Sequence, residues 1–304
     1  MRATRESYGN ALAELGKKYK NIVVLDADLA EATKTIEFKN KFPKRFFDIG
    51  IAEQDLMGTA AGLALEGKIP FASTFAIFAA GRAYEQIRNT IAYSNLNVKV
   101  AATHAGLTVG EDGASHQSIE DLALMRVIPG MTIFSPCDDL ETRWVIEEAV
   151  KIDGPVYIRL TRPKVEDVYQ DKKKFKFGKA IIHGNGKDAT VIATGLMVQE
   201  ALKAQKELSK DNIEIRVIDI HTIKPIDRDA IIKAAKETKK IITIEDHSII
   251  GGLGSAVCEV LSEEFPTKVC RMGVKDEFGQ SGKWNELLEA YGLTYEKIIE
   301  EVKK

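Results

Sequence analysis

Residues 104–117 read HAGLTVGEDGASHQ and crowd two imidazoles, two carboxylates and three glycines into fourteen positions. His104 and His116 can titrate near neutrality and move protons. Asp112 can accept a hydrogen bond from a substrate hydroxyl or orient an imidazole. Gly106, Gly110 and Gly113 let the backbone take tight or left-handed turns. A lone histidine is ordinarily structural. This density, directly after a β-branched run, suits a loop that faces a substrate. A metal-binding helix does not suit it, because the glycines interrupt any regular turn, so no metal ligand is expected in this loop.

Three other stretches carry chemistry-bearing residues. In GIAEQDLMGTAAGLALEG, Glu53 falls in the first turn of a predicted helix. A carboxylate there complements the helix dipole, and taken alone that is the simplest account. Gly58, Ala60, Ala61 and Gly62 give the same helix a small-residue face, open to a subunit contact or to an internal helix–sheet contact. Phe75 and Phe78 are either core or a flat wall for a heterocycle. GGLGS at 251–255 resembles a phosphate loop only superficially. Val257 stands where the last glycine of G-x-G-x-x-G belongs, so close backbone packing is the better reading.

The elements that must hold these residues alternate. Strands are predicted at 21–28, 46–50, 69–73, 97–103, 131–136 and 156–160. Helices fall at 5–18, 52–65, 79–93, 118–125 and 138–151. Near-continuous apolar strands separated by helices predict an α/β fold with a parallel sheet covered on both faces. Ligands then sit beyond the carboxyl ends of the strands, where all the candidate loops lie. DKKKFKFGK at 171–179 holds five lysines in nine residues and marks a linker. The alternation then restarts, with strands at 188–194, 214–220, 240–246 and 268–272 and helices near 196–209, 227–237 and 253–264. Two doubly wound domains are expected.

Composition narrows the classes. The 304 residues are 44% hydrophobic and 29% charged, an ordinary soluble globular balance. A net charge of −2 gives no basic field for nucleic acid. The start MRATRESYGN has no apolar core of a signal peptide. The greasiest stretch is cut by Glu66 and Lys68, so no membrane span is expected. Cys137, Cys258 and Cys270 are too scattered for a disulfide framework or a metal site, and a reducing cytoplasm is the simplest setting.

Six blocks stand in a telling order: ATR (3–5), ADL (27–29), IAEQ (51–54), TFAIF (74–78), THAGLTVGEDGASHQ (103–117) and LTR (160–162). Together they resemble the carboxyl-terminal half of transketolase, over essentially the whole chain. The resemblance implies a pyrimidine-binding domain at 1–170, a linker at 171–180 and a transketolase C-terminal-type domain at 181–304. It implies ketol transfer from a ketose phosphate to an aldose phosphate with thiamine diphosphate and magnesium. The family's diphosphate-binding domain, with its GDG motif and metal ligands, has no counterpart here. The chain therefore looks like one subunit of a split transketolase, joined two by two with a separate diphosphate-binding subunit.

By the same resemblance, Glu53 matches the glutamate that hydrogen-bonds a ring nitrogen of the cofactor's aminopyrimidine, and Phe75 and Phe78 match the aromatic wall beside it. Asp28 and Ile51 match residues near the cofactor. His104 matches a residue beside the reacting carbons, His116 one near the acceptor carbonyl, and Asp112 the carboxylate that takes the C2 hydroxyl. Arg5 and Arg162 match the sugar-phosphate arginines, a role suited to their forked donors. Three positions depart from the family pattern. Ala32 replaces a phosphate-contacting serine, Ala105 an acid, and Gly81 a tyrosine near the cofactor. The first weakens or rearranges phosphate binding, and the third opens space in the pocket. Two neighbouring enzymes share parts of the pattern. A 2-oxo acid dehydrogenase beta subunit shares the Glu53 chemistry but is not expected to carry the two-histidine loop. Deoxyxylulose-phosphate synthase shares IAEQ but usually has arginine at the His104 position. A non-catalytic stabilising subunit is the rival of another class.

Overall fold

The structure, a computed structural model, describes residues 1–171 and 175–304. The first half runs β1 (Arg2–Ala3), α1 (Thr4–Lys18), β2 (Ile22–Asp26), α2 (Ala30–Thr33), α3 (Ile36–Lys41), β3 (Phe46–Asp48), α4 (Glu53–Leu65), β4 (Ile69–Phe75), β5 (Lys99–Thr103), α5 (Asp121–Arg126), β6 (Thr132–Phe134), α6 (Asp139–Lys151), β7 (Val156–Arg159) and β8 (Lys164–Val165). The second runs β9 (Ile181–His183), β10 (Ala189–Ala193), α7 (Met197–Lys210), β11 (Ile215–Asp219), β12 (Thr222–Lys224), α8 (Arg228–Glu237), β13 (Ile241–Ser248), α9 (Leu253–Glu264), β14 (Val269–Val274), α10 (Trp284–Ala290) and α11 (Tyr295–Lys303). The chain is a mixed α/β protein built on two largely parallel sheets.

Every residue of β2, β4 and β5 is buried. Strands buried on both faces need helices on both faces, which is why the apolar runs are nearly continuous. The seven-stranded sheet has the order β12-β6-β7-β5-β4-β2-β3. Its strands run parallel except β12, which joins the β6 edge antiparallel. β12 comes from the second half of the chain, so that half completes the first half's sheet. The five-stranded sheet has the order β14-β13-β10-β11-β9, with β9 antiparallel on the edge. β1 and β8 pair separately and bring Thr4 beside Thr161.

The structure departs from the sequence reading in places. The helix predicted at 79–93 is two wide π-helical turns, Phe78–Arg82 and Gln86–Ala92. Such turns hold an extra residue and often mark functional positions. The helix predicted from 118 begins at Asp121, because Ser118 and Ile119 are tied to the neighbouring loop and to β13. Strands β9 and β12 and helices α2, α3, α10 and α11 are additional. Of the predicted linker, 172–174 lie outside the described residues. Phe175 is buried against Trp144 and Tyr169, and Phe177 rests on Phe134. Among the described residues no helix is long and apolar enough to cross a membrane.

The small-residue face of α4 divides in two. Ala60 and Ala61 are buried. A Cβ at Gly58 or Gly62 would meet nothing within 4 Å among the described residues. The alanines serve internal packing and the glycines stay open at the surface. The GGLGS turn is filled from within: the Glu245 carboxylate accepts hydrogen bonds from Leu253 N at 2.6 Å and Gly254 N at 2.7 Å. The donors a phosphate would need are taken, as close packing requires.

Candidate active site

The carboxyl ends of β2, β4, β5 and β7 lead directly into Asp28, the Phe75–Phe78 segment, His104 and Arg162. This is where a parallel sheet places its ligands. Glu53 is the first residue of α4 and only 2% exposed. Arg82 Nη1 donates to both its carboxylate oxygens, at 3.0 and 2.9 Å. The Arg82 guanidinium also lies over the Phe78 ring, 4.6 Å from its centre.

Phe78 and Phe75 are stacked, with centres 5.9 Å apart and planes within 10°. Phe75 in turn stacks on His104 at 3.9 Å. His116 stands edge-on to Phe78 at 5.5 Å and to Phe75 at 6.5 Å. The Phe pair is thus a wall, and two imidazoles border it. A planar, hydrogen-bonding cation already spans from Glu53 to the face of Phe78. A planar group with ring-edge donors in place of that guanidinium would meet the same buried carboxylate and the same ring face.

His104 is 3% exposed and has φ +57°, a left-handed conformation that is sparsely populated for a side chain of its size. Its Nδ1 shares a hydrogen bond with Thr103 Oγ1 at 2.8 Å. Burial pushes its pKa down to about 3, helped by the positive charges of Arg5 and Arg162 and by His116. His104 is therefore neutral across the physiological range. His116 is half-buried, with Nδ1 3.0 Å from Ser115 Oγ.

The two arginines meet at the other edge. Arg5 Nε donates to the Arg162 carbonyl at 3.3 Å and Nη1 to the Ala32 carbonyl at 2.7 Å. The departure at Ala32 is thus occupied through its backbone. Arg162 Nη1 donates to the Val109 carbonyl and pairs with Glu111 at 3.3 Å and Asp112 at 3.8 Å. Asp112 is consequently held in the site by Arg162. Ala105 is fully buried and bridges to Ser118, so no side chain reaches out from that position. A Cβ at Gly81 would meet open space among the described residues.

Asp28 and Ile51 lie apart from this row of contacts. Ile51 is 77% exposed. Asp28 is exposed, and its N–H donates to Asp48 Oδ1 at 3.1 Å, which also accepts from Gly50 N. Asp48 thereby ties the two loops that carry Asp28 and Ile51. Asp26 anchors the first of them from below, accepting from Leu29 N, Thr33 Oγ1 and Thr35 Oγ1. Burial, against those hydrogen bonds, raises its pKa to about 6. Arg82 and Asp48 are the residues that sequence reasoning missed. The signal for Arg82 depends on the π-helical turn, and no local pattern marks it. A separate group with metal-ligand proximity is Cys137, Glu141 and Asp219, all fully buried; Asp219 accepts from Tyr169 there.

Comparison with known proteins identifies both halves of the chain. Residues 1–167 match the transketolase pyrimidine-binding domain, and 178–298 match the transketolase C-terminal domain. The chain is 52% identical to a putative transketolase C-terminal section of Methanocaldococcus jannaschii, over 99% of this chain and 96% of that protein. It is 42% identical to a 6-deoxy-6-sulfo-D-fructose transketolase subunit of a Clostridium species, over 97% and 92% respectively. A solved split-gene transketolase, described as an inactive beta4 tetramer, superposes with a TM-score of 0.93 at 54% identity, covering 100% of this chain and 98% of that one. With both domains matched and relatives of 42% and 52% identity covering nearly the whole chain, the chain belongs to the transketolase family.

Proposed function

We propose that this chain is the pyrimidine-binding and substrate-facing subunit of a thiamine-diphosphate-dependent transketolase. It would move a two-carbon ketol unit from a ketose phosphate to an aldose phosphate, together with a separate subunit that binds the diphosphate and magnesium. The observation that carries this reading is the unbroken row from Glu53 through the Phe78–Phe75 wall to His104, with Arg5 and Arg162 at its far edge.

Thiamine diphosphate, when bound, would supply the nucleophilic carbon for the transfer. The chain's own residues orient the cofactor ring, bind the sugars and move protons between them. Glu53 holds a proton against a ring nitrogen of the aminopyrimidine, once Arg82 has left its carboxylate. Arg82 is free to leave because its side chain is 52% exposed. Phe75 and Phe78 would fix the plane of the ring, and Asp28 and Ile51, on loops tied together by Asp48, would meet the cofactor from outside that row. Neutral His104 exchanges a hydrogen bond with the donor hydroxyl without adding charge beside two arginines. His116, nearer solvent, serves the acceptor carbonyl. Asp112 takes a substrate hydroxyl, and Arg5 and Arg162 take the phosphate.

Dependence on a partner is supported by the Clostridium relative, which is called a subunit, and by the similar beta tetramer, which is described as inactive. The test is reconstitution. The chain alone and the chain with the candidate diphosphate-binding subunit are assayed with xylulose 5-phosphate and ribose 5-phosphate. Parallel arms use 6-deoxy-6-sulfofructose, and a 2-oxo acid with a lipoyl acceptor. Turnover is expected only from the pair and only with sugars. Glu53→Gln should cost at least about 100-fold. Turnover by the chain alone refutes the split arrangement, and a loss below about tenfold refutes the role of Glu53.

A further inference from the structure

We infer that Asp246, at the end of β13 in the second half of the chain, is a positioning residue for the substrate loop 104–117. Its carboxylate reaches across to that loop and takes three hydrogen bonds: Leu107 N at 2.8 Å, Thr108 N at 3.3 Å and Thr108 Oγ1 at 2.8 Å. These are the free donors at the start of the single 3₁₀ turn Leu107–Val109. Gly106 leaves the space the carboxylate needs, since a Cβ there would lie 2.2 Å from Asp246 Oδ2. The backbone of Asp246 is fixed as well, because Arg159 Nη2 donates to its carbonyl at 2.8 Å while Arg159 Nε pairs with Asp121. Asp246 is nearly fully buried, so nothing in water competes for its acceptors.

Two further contacts from the second half hold the end of the loop and the residues just after it. Gln117 Nε2 donates to the Gln280 carbonyl at 3.0 Å, and Ser248 N donates to the Ile119 carbonyl at 2.7 Å. The loop holding His104, Asp112 and His116 is therefore built in the first half and set in place by the second. Neighbouring strand residues point to opposite faces, and β13 uses this. Glu245 turns to the start of α9, and Asp246 turns to the loop. One residue stabilises its own domain, and the other sets the geometry of the site.

This inference rests on the proposed function for its catalytic readout, and a second readout is independent of it. In the assembled two-subunit enzyme, Asp246→Asn should raise KM for the sugar phosphate donor at least tenfold. It should leave the dissociation constant of thiamine diphosphate within twofold, because the Asp246 carboxylate bonds Leu107 and Thr108 rather than Glu53 or the Phe wall. In the chain alone, amide hydrogen exchange at Leu107 and Thr108 should quicken at least tenfold. Glu245→Gln is the control, and it should lower thermal stability without moving either loop readout. If Asp246→Asn does not fold, Thr108→Val removes one of the three hydrogen bonds and should shift exchange at Leu107 and KM in the same direction by a smaller factor. The inference is overturned if the folded variant lowers stability but leaves loop exchange and KM as in the parent. If no sugar is turned over by the parent enzyme, the exchange measurement alone decides it.

Discussion

Replacing Gly106 by alanine tests how tightly the substrate loop is built. Gly106 has φ +80° and ψ −173°, a region open essentially only to glycine. Forcing a side chain there costs about 1–3 kcal/mol. The new Cβ would also fall 2.2 Å from Asp246 Oδ2 and 2.4 Å from its Cγ. The carboxylate cannot swing away without giving up its three donors, so the clash adds about 1–3 kcal/mol more. A total of about 4 kcal/mol is a large share of a folding free energy of about 5–15 kcal/mol. Gly50→Ala is the comparison. It also has a positive φ, +79°, but its Cβ would meet nothing within 4 Å among the described residues. It puts a side chain at positive φ without the clash. Denaturant titration of both variants, followed by circular dichroism, should show the midpoint of Gly106→Ala falling at least twice as far as that of Gly50→Ala. Equal shifts would refute the claim that Asp246 is locked against the loop.

Two further outcomes follow from the contacts at the cofactor end. Arg82→Ala should tighten thiamine diphosphate binding by the assembled enzyme, since the ion pair between half-exposed Arg82 and buried Glu53 no longer has to be broken; calorimetry showing tenfold weaker binding would mean that Arg82 stays and supports Glu53. His104 should remain neutral at pH 5 by NMR, where a free imidazole is mostly charged. Its folded pKa of about 3 lies below the unfolded value near 6.5, so the stability it contributes is present above about pH 6.5 and is lost as pH falls toward 3. A titration midpoint at pH 6 or above would contradict this.

The parts of the fold that follow local rules were legible in the sequence. β2, β4 and β5 are buried on both faces, so their composition announces them. The loop 104–117 stood out because histidines, acids and glycines rarely share so short a span. β12 was not legible, because Thr222–Lys224 is three residues long and its partner strand, β6, is about ninety residues away in sequence. Arg82 was hidden for a related reason. Only a π-helical turn aims it at Glu53, and nothing in AAGRAYEQ distinguishes that turn from an α-helical one. Asp246 sits beside Glu245 in a run that reads simply as strand, and which acid faces the loop is decided by the pleat. The sequence also treated Gly58, Ala60, Ala61 and Gly62 as one face, whereas burial separates the alanines from the glycines.

The loan of β12 to the first sheet has a consequence during synthesis. The chain emerges amino terminus first, and residues 1–171 can assemble most of the seven-stranded sheet before Thr222 has left the ribosome. Until then β6 is an open edge, with Ile133 and Phe134 next to unpaired backbone donors and acceptors. An edge of that kind recruits strands from other nascent chains. At about 5–20 residues per second, the roughly ninety residues between β6 and β12 leave that edge open for about 5–18 seconds. A stalled or truncated product ending before residue 222 would keep the β6 edge open.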